Sequence, residues 1–194
     1  VELYLTDDAE ANALLAASPF ALLLGMLLDQ QIPMERAFRG PALLRERLAA
    51  LGYGDDPCTL AGLPIEDLVE VVSAKPALHR FPASMAKRIQ ALAGTICEQY
   101  GGRTEAIWEG VDAASTLLDR LQALPGFGSE KARIFLALLA KRFGVKPDGW
   151  ETASAPFGEP GVYRSVADAT SPEALERIRE TKAAVKAERT ARSR

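Results

Sequence analysis

Cysteine and histidine are nearly missing from this 194-residue chain, and aromatic residues are few. Cys58 and Cys97 stand far apart. They offer neither metal-ligand spacing nor a disulfide framework, which points to a reducing, intracellular setting. His79, the only histidine, has no partner residues for a metal site. Long apolar runs are absent too. The longest, "FALLLGMLL" over residues 20–28, is too short to span a bilayer. It also lacks the basic flank and N-terminal position of a signal peptide and reads as a buried helix. No segment alternates with period two for long and no repeat is present, which argues against a sheet or a repeat array. With a formal net charge of −3, the whole-molecule field gives no sign of nucleic-acid binding.

What is present favours helices. Apolar residues make up 48% and charged residues 25%, ordinary for a globular chain long enough for one domain or for two small lobes sharing a core. Thr6 or Asp7 caps a first helix that ends at Ser18-Pro19, and an apolar helix follows over about 19–30. Pro33 opens a helix that Gly52 ends. "YGDDPCTLAGLP" reads as loop, "PIEDLVEVVSAK" as a short helix and "PALHRFP" as a second loop. "ASMAKRIQALAGTICEQYGG" is an amphipathic helix, and "AIWEGVDAASTLLDRLQAL" holds one or two more. A further helix runs from Ser129 to about Phe143-Gly144, and residues 145–164 form a loop. The last helix starts with Ser171 as N-cap, Pro172 in the first turn and Glu173 beside the dipole. The fold class is all-α. From Lys182 the chain reads "KAAVKAERTARSR", a basic stretch that either meets phosphates or is solvated helix.

The stretch "ALPGFGSEKARIFLALL", residues 123–139, puts a tight turn in front of a helix. Gly126 and Gly128 permit positive φ and close backbone approach. Unpaired amides of residues 126–131 and the helix dipole form an anion site, and a phosphodiester fits it. Such a turn positions a duplex without reading its sequence. A plain αα-turn is the other reading.

"LPGFGSEKARIFLALL" resembles the hairpin of the helix-hairpin-helix DNA glycosylases, a superfamily that includes endonuclease III and the 3-methyladenine glycosylases. "LLLGMLLDQQIPMERAF" (22–38) is similar to that family's early helix pair. By this likeness Gln31 plugs the gap left by a flipped nucleotide, beside Gln30, and the "QQI" form looks most like the alkylpurine branch. "LHRFPASMAKRIQAL" (78–92) resembles the wedge loop, implying Phe81 or Arg80 against the unpaired base. The resemblance runs from about residue 19 to about 150. It implies one domain, 1–194, of two interleaved helical lobes with a DNA-facing cleft between them. One lobe spans about 19–120; the other spans about 121–194 with the N-terminal helix and holds the hairpin, 124–128. It further implies that Pro125, Gly126, Phe127, Gly128, Ser129, Lys131, Lys87 and Arg88 hold phosphates. The carbonyls of Leu124 and Gly126 would hold a monovalent cation when DNA is bound.

The same resemblance directs the chemistry. Lyase-type members carry a lysine at the start of the hairpin helix and an aspartate eighteen residues on. Here the lysine position falls on Glu130, and the aspartate on Asp148. Asp148 is the first candidate for the catalytic carboxylate, although "GWETAS" departs from the family's continuation and Asp-Gly is a common turn. Asp168, just before the last helix, is the rival. Glu130 cannot form a Schiff base, and Lys131, turned by about 100°, is expected to face elsewhere. The expectation is a monofunctional glycosylase that hydrolyses the N-glycosidic bond of a flipped base, alkylated or deaminated, in duplex DNA. It would act as a monomer, with no iron–sulfur cluster, since four C-terminal cysteines are wanting. It would be intracellular and nucleoid-associated. Trp150 and Tyr163 are candidates for the base pocket, Trp108 for the core, and His79 for a phosphate contact or a surface loop. The second reading is a helix-hairpin-helix module that binds distorted DNA without catalysis.

Overall fold

The computed structural model describes residues 1–193, and these are all-helical. The helices are α1 (Ala9–Ala17), α2 (Pro19–Leu28), α3 (Met34–Ala50), α4 (Pro57–Gly62), α5 (Ile65–Ser73), α6 (Pro82–Tyr100), α7 (Ala114–Gln122), α8 (Ser129–Phe143), α9 (Trp150–Ala153) and α10 (Pro172–Arg192). Two 3-10 turns cover Thr104–Ile107 and Val166–Asp168. Side-chain caps set several starts. Asp8, one residue beyond the expected Asp7, takes the amides of Glu10 and Ala11 at 3.0 Å, while Thr6 Oγ1 takes the Asp8 amide at 2.8 Å. Ser18, expected only to end the first helix, also caps α2 ahead of Pro19, and Ser171 caps α10 ahead of Pro172, as expected. The segment read as loop over 53–64 contains α4, capped by Asp56 through the Thr59 amide with Pro57 in its first turn. Its Asp-Pro signature is a helix start, but one and a half turns are too short to show periodicity.

α2 is buried along nearly its whole length, so it must be wrapped on all sides. Two glycines allow α3 to approach it. A Cβ on Gly25 would meet Phe38 Cδ1 at 2.5 Å, and one on Gly40 would meet Leu28 Cδ1 at 2.5 Å. Each helix thus receives a large side chain of the other where it has none itself. This close crossing fixes the geometry of the turn that joins them, residues 29–33.

α1, expected to group with the hairpin, packs on α2 and α3. The segment before α1 reaches α8 through Arg142 Nη2, which donates to the Glu2 carbonyl at 2.6 Å. α7, α8, α9 and the 3-10 turn at Val166–Asp168 pack together, and one hydrophobic core runs through both groups. The cysteines also correct an expectation. Cys58 of α4 and Cys97 of α6 form a disulfide, their Cα atoms 5.0 Å apart. They stand 39 positions apart in the chain, so only the tertiary packing of α4 on α6 reveals the pair. The reading of a reducing compartment loses its premise. No single helix among the described residues is long and apolar enough to cross a membrane.

Candidate functional site

The hairpin between α7 and α8 is seated from below. Phe127 is buried, edge-on to Phe135 with ring centres 6.1 Å apart. Gly126 has φ +82°, and a Cβ there would lie 2.4 Å from Leu27 Cδ1 of α2. Phe127, one of the hairpin residues expected to meet DNA, therefore anchors the turn from below, while Gly126, pinned on Leu27, stays exposed together with Gly128, Ser129 and Glu130. Gly128, the N-cap of α8, provides no side-chain cap. The first-turn amides of α8 remain free for an anion. The Leu124 carbonyl closes the turn by accepting the Phe127 amide at 3.1 Å. Among the described residues no group of three His, Cys, Asp or Glu could hold a metal ion.

The turn after α2 faces this hairpin. Gln31 is exposed with φ +58°, a left-handed conformation that costs a non-glycine residue about 1–2 kcal/mol. Such strain concentrates where a side chain has a task. His79, expected at the surface, is buried beneath the turn. Its Nδ1 accepts the Phe81 amide at 3.1 Å, so Nε2 carries the proton and donates to the Gln30 carbonyl at 2.8 Å. Arg88 donates to Gln30 Oε1 at 2.9 Å, and Gln30 Nε2 donates to the Leu27 carbonyl at 2.9 Å. Arg36 and Arg47 of α3 hold the carbonyls of Ala77 and Pro76 at 2.6 and 2.7 Å. The "QQI" turn and the loop at 78–81 are thereby one unit. It presents Phe81, 48% exposed, with the Arg80 guanidinium over its ring at 5.4 Å. Lys87 is exposed in the early turns of α6.

Burial, with the charges of Arg36 and Arg88 adding to it, holds the His79 pKa below its ordinary value. The unfolded chain then binds the proton more readily than the folded one, so stability is full above about pH 6.5 and falls as pH drops below it. We expect urea unfolding between pH 8 and 5 to show this loss, and His79→Leu to show a flatter profile. Equal pH slopes in the two proteins would rule the assignment out.

A cleft of about 1050 Å³ lies between the α2–α3 turn, the hairpin, the loop at 156–164 and α10. Asp29, Gln30 and Gln31 line it from one side, and Gly128, Glu130 and Lys131 from another. Of the two carboxylates that line it, Glu130 is exposed and Asp29 is the more enclosed, its side chain 14% exposed and 3.7 Å from Lys182 Nζ. Burial raises its pKa, against the pull of Lys182 and Lys131. Lys131 does not face elsewhere as expected. Its Nζ donates to the Leu27 carbonyl at 3.0 Å. Desolvation draws its pKa down to about 8, with Asp29 opposing that shift. The 100° step between neighbours gives their relative direction only; the docking of the hairpin on α2 decides which one looks inward. Asp29 was not singled out from the sequence. The available signal was an acid at the C-terminus of an apolar helix, where the dipole disfavours it.

The aspartates that were singled out lie elsewhere. Asp148 is exposed, and its main chain pairs with the 112–114 segment: its amide donates to the Asp112 carbonyl at 2.7 Å, and its carbonyl accepts the Ala114 amide at 2.9 Å. Gly149 follows at φ +80°, making this the Asp-Gly turn. Asp168 is buried, with its carboxylate on Lys141 Nζ at 2.6 Å and on the amides of Arg164 and Ser165 at 3.0 and 3.4 Å. Its acceptor capacity is spent on holding the 3-10 turn. Neither borders the cleft. Trp150 and Tyr163 border a separate depression beside Asp168. Lys146 lies 6.0 Å above the Trp150 ring and Arg177 5.0 Å above the Tyr163 ring. Trp108, expected in the core, is half-buried at its edge and packs edge-on to Phe135. Compared with family models, with curated proteins and with solved structures, the chain matches none.

Proposed function

We propose that this protein is a DNA N-glycosylase that grips duplex DNA by its helix-hairpin-helix turn and releases a damaged base, alkylated or deaminated, without nicking the strand. One observation carries the reading: a single cleft joins the free amides at the start of α8, the strained Gln31 and a buried carboxylate, Asp29. The hairpin amides hold a phosphate, and Gln31 with the Arg80-Phe81 loop fills the space a flipped nucleotide leaves. That filling offsets the few kcal/mol of stacking and pairing given up on flipping. As the base departs, positive charge builds on the sugar, and Asp29 opposes it and orients the attacking water. Asp29 takes the role expected of Asp148 or Asp168. Lys131, tied to the Leu27 carbonyl, holds α2 to the hairpin and favours the ionised form of Asp29 against the effect of burial.

A second reading, a DNA-binding module without catalysis, draws on the position of Asp148 and Asp168 outside the cleft. Duplex oligonucleotides carrying alkyladenine, uracil, hypoxanthine or 8-oxoguanine separate the two. We expect cleavage of one or more only after alkali. Tight binding with no product on any lesion would favour the module. Borohydride trapping through Lys131 would make the enzyme a lyase instead.

A further inference from the structure

α10 changes character halfway along. Its first turns bury Ala174, Leu175 and Ile178. From Lys182 onward every described residue is exposed, so that half of the helix gains nothing from the core. At about 100° per residue, Lys182, Lys186 and Arg189 fall on the face that buries Leu175 and Ile178, within an arc of roughly 60°. Glu176 and Glu180 lie on other faces. The apolar stripe that docks the helix thus continues as a basic stripe, and it is this stripe that lines the cleft, opposite the start of α8. Arg179 pairs with Glu35, and Lys182 reaches Asp29 at 3.7 Å and Met34 Sδ at 3.7 Å. Beyond these tethers, the side chains of Lys186 and Arg189 have no hydrogen-bond or ion-pair partner among the described residues.

A polar helix that buries little is marginal by itself. Concentrating its cations on the one face that looks into a cleft, in a chain of net charge −3, creates a local field that the overall charge conceals. We propose that the second half of α10 is a phosphate-binding wall. Lys182, Lys186 and Arg189 follow one DNA strand through the cleft while the hairpin amides hold the backbone across from it. From Lys182 to Arg189 the helix rises about 10 Å, matching three steps of one strand at about 3.4 Å each. A concave cleft with cations on facing walls suits a strand; a membrane headgroup layer would require a flat, open face. The inference rests on the DNA-binding reading and extends its footprint beyond the hairpin.

The test is the salt dependence of binding to a fluorescent duplex carrying an abasic-site analogue. Lys186→Gln with Arg189→Gln should leave the thermal melt unchanged, since neither side chain packs on the core. It should make the plot of log Kd against log salt shallower by about 1.8, at about 0.9 for each phosphate that is no longer neutralised. A matched pair, Arg45→Gln with Lys75→Gln, removes two exposed charges that do not line the cleft and should leave the slope nearly unaltered. Adding Lys182→Gln should bring the reduction in slope to about 2.7. Wild-type binding with an unaltered slope in the Lys186/Arg189 variant would overturn the inference and leave the hairpin reading intact. No wild-type binding to any duplex would overturn both. Binding to phosphatidylserine vesicles that the variant abolishes, with duplex binding unchanged, would assign the stripe to membrane and overturn the inference.

Discussion

Replacing Asp29 with Asn is expected to slow base release by on the order of 10²–10⁴-fold, the usual contribution of a positioned acid or base, while duplex binding stays near the wild-type level. The same substitution should leave the fold at least as stable. Burial raises the pKa of Asp29, so at neutral pH its ionised form is less favourable in the folded chain than in the unfolded one. The two other aspartates give the contrast. Asp148→Asn alters an exposed turn residue and should retain full activity. Asp168→Asn breaks a buried pair with Lys141, and its effect should appear in unfolding, at about 3–5 kcal/mol. Single-turnover kinetics on the responsive lesion, with a thermal melt of each variant, separates these outcomes. A silent Asp148→Asn beside an active Asp29→Asn would return the catalytic role to Asp148.

The second large effect concerns the hairpin. Gly126→Ala is expected to destabilise the protein by about 2–5 kcal/mol. Positive φ costs an alanine about 1–2 kcal/mol, and forcing a methyl group against packed atoms adds about 1–3. The obstacle is Leu27 Cδ1, 2.4 Å from the new Cβ, in an α2 that is itself enclosed. For a domain of this size the melting temperature should drop by roughly 4–20 °C. Gly128→Ala has no such neighbour, since nothing lies within 4 Å of its Cβ position, and φ there is −81°. It should melt close to the wild type. Any drop in DNA affinity in Gly128→Ala then reports on the grip on phosphate and not on folding. A Gly126→Ala protein as stable as the wild type would show that the hairpin does not rest on α2 in this way.

Both predictions turn on what a single chain reveals and what it hides. Local rules were legible. Ser18-Pro19 and Ser171-Pro172 mark helix starts because a cap and a preset φ act within one turn. The uninterrupted apolar run from Phe20 to Leu28 marks an enclosed helix, because no face of it tolerates water. "LPGFGSEK" marks a turn before a helix, and these local features together determine an all-α chain. The exceptions were short or ambiguous, as with α4, where the Asp56-Pro57 start stands in a stretch rich in loop residues.

The cleft was decided elsewhere. Whether Glu130 or Lys131 points inward depends on how the hairpin docks, and that rests on Gly126 against Leu27, almost a hundred positions away in the chain. His79 meets the Gln30 carbonyl, Asp168 meets Lys141, and Cys58 meets Cys97. Each pairing joins segments that no local pattern connects. Asp148 and Asp168 were both in plausible places along the chain, but spacing along a chain does not give direction in space. The sequence by itself determined which segments coil, where they start and which faces are apolar, because these follow from dihedral preferences and burial. Only the tertiary structure decided which polar groups share the cleft. Its charges act through space over a few ångströms, and the packing of α2, α3 and α8 sets those distances.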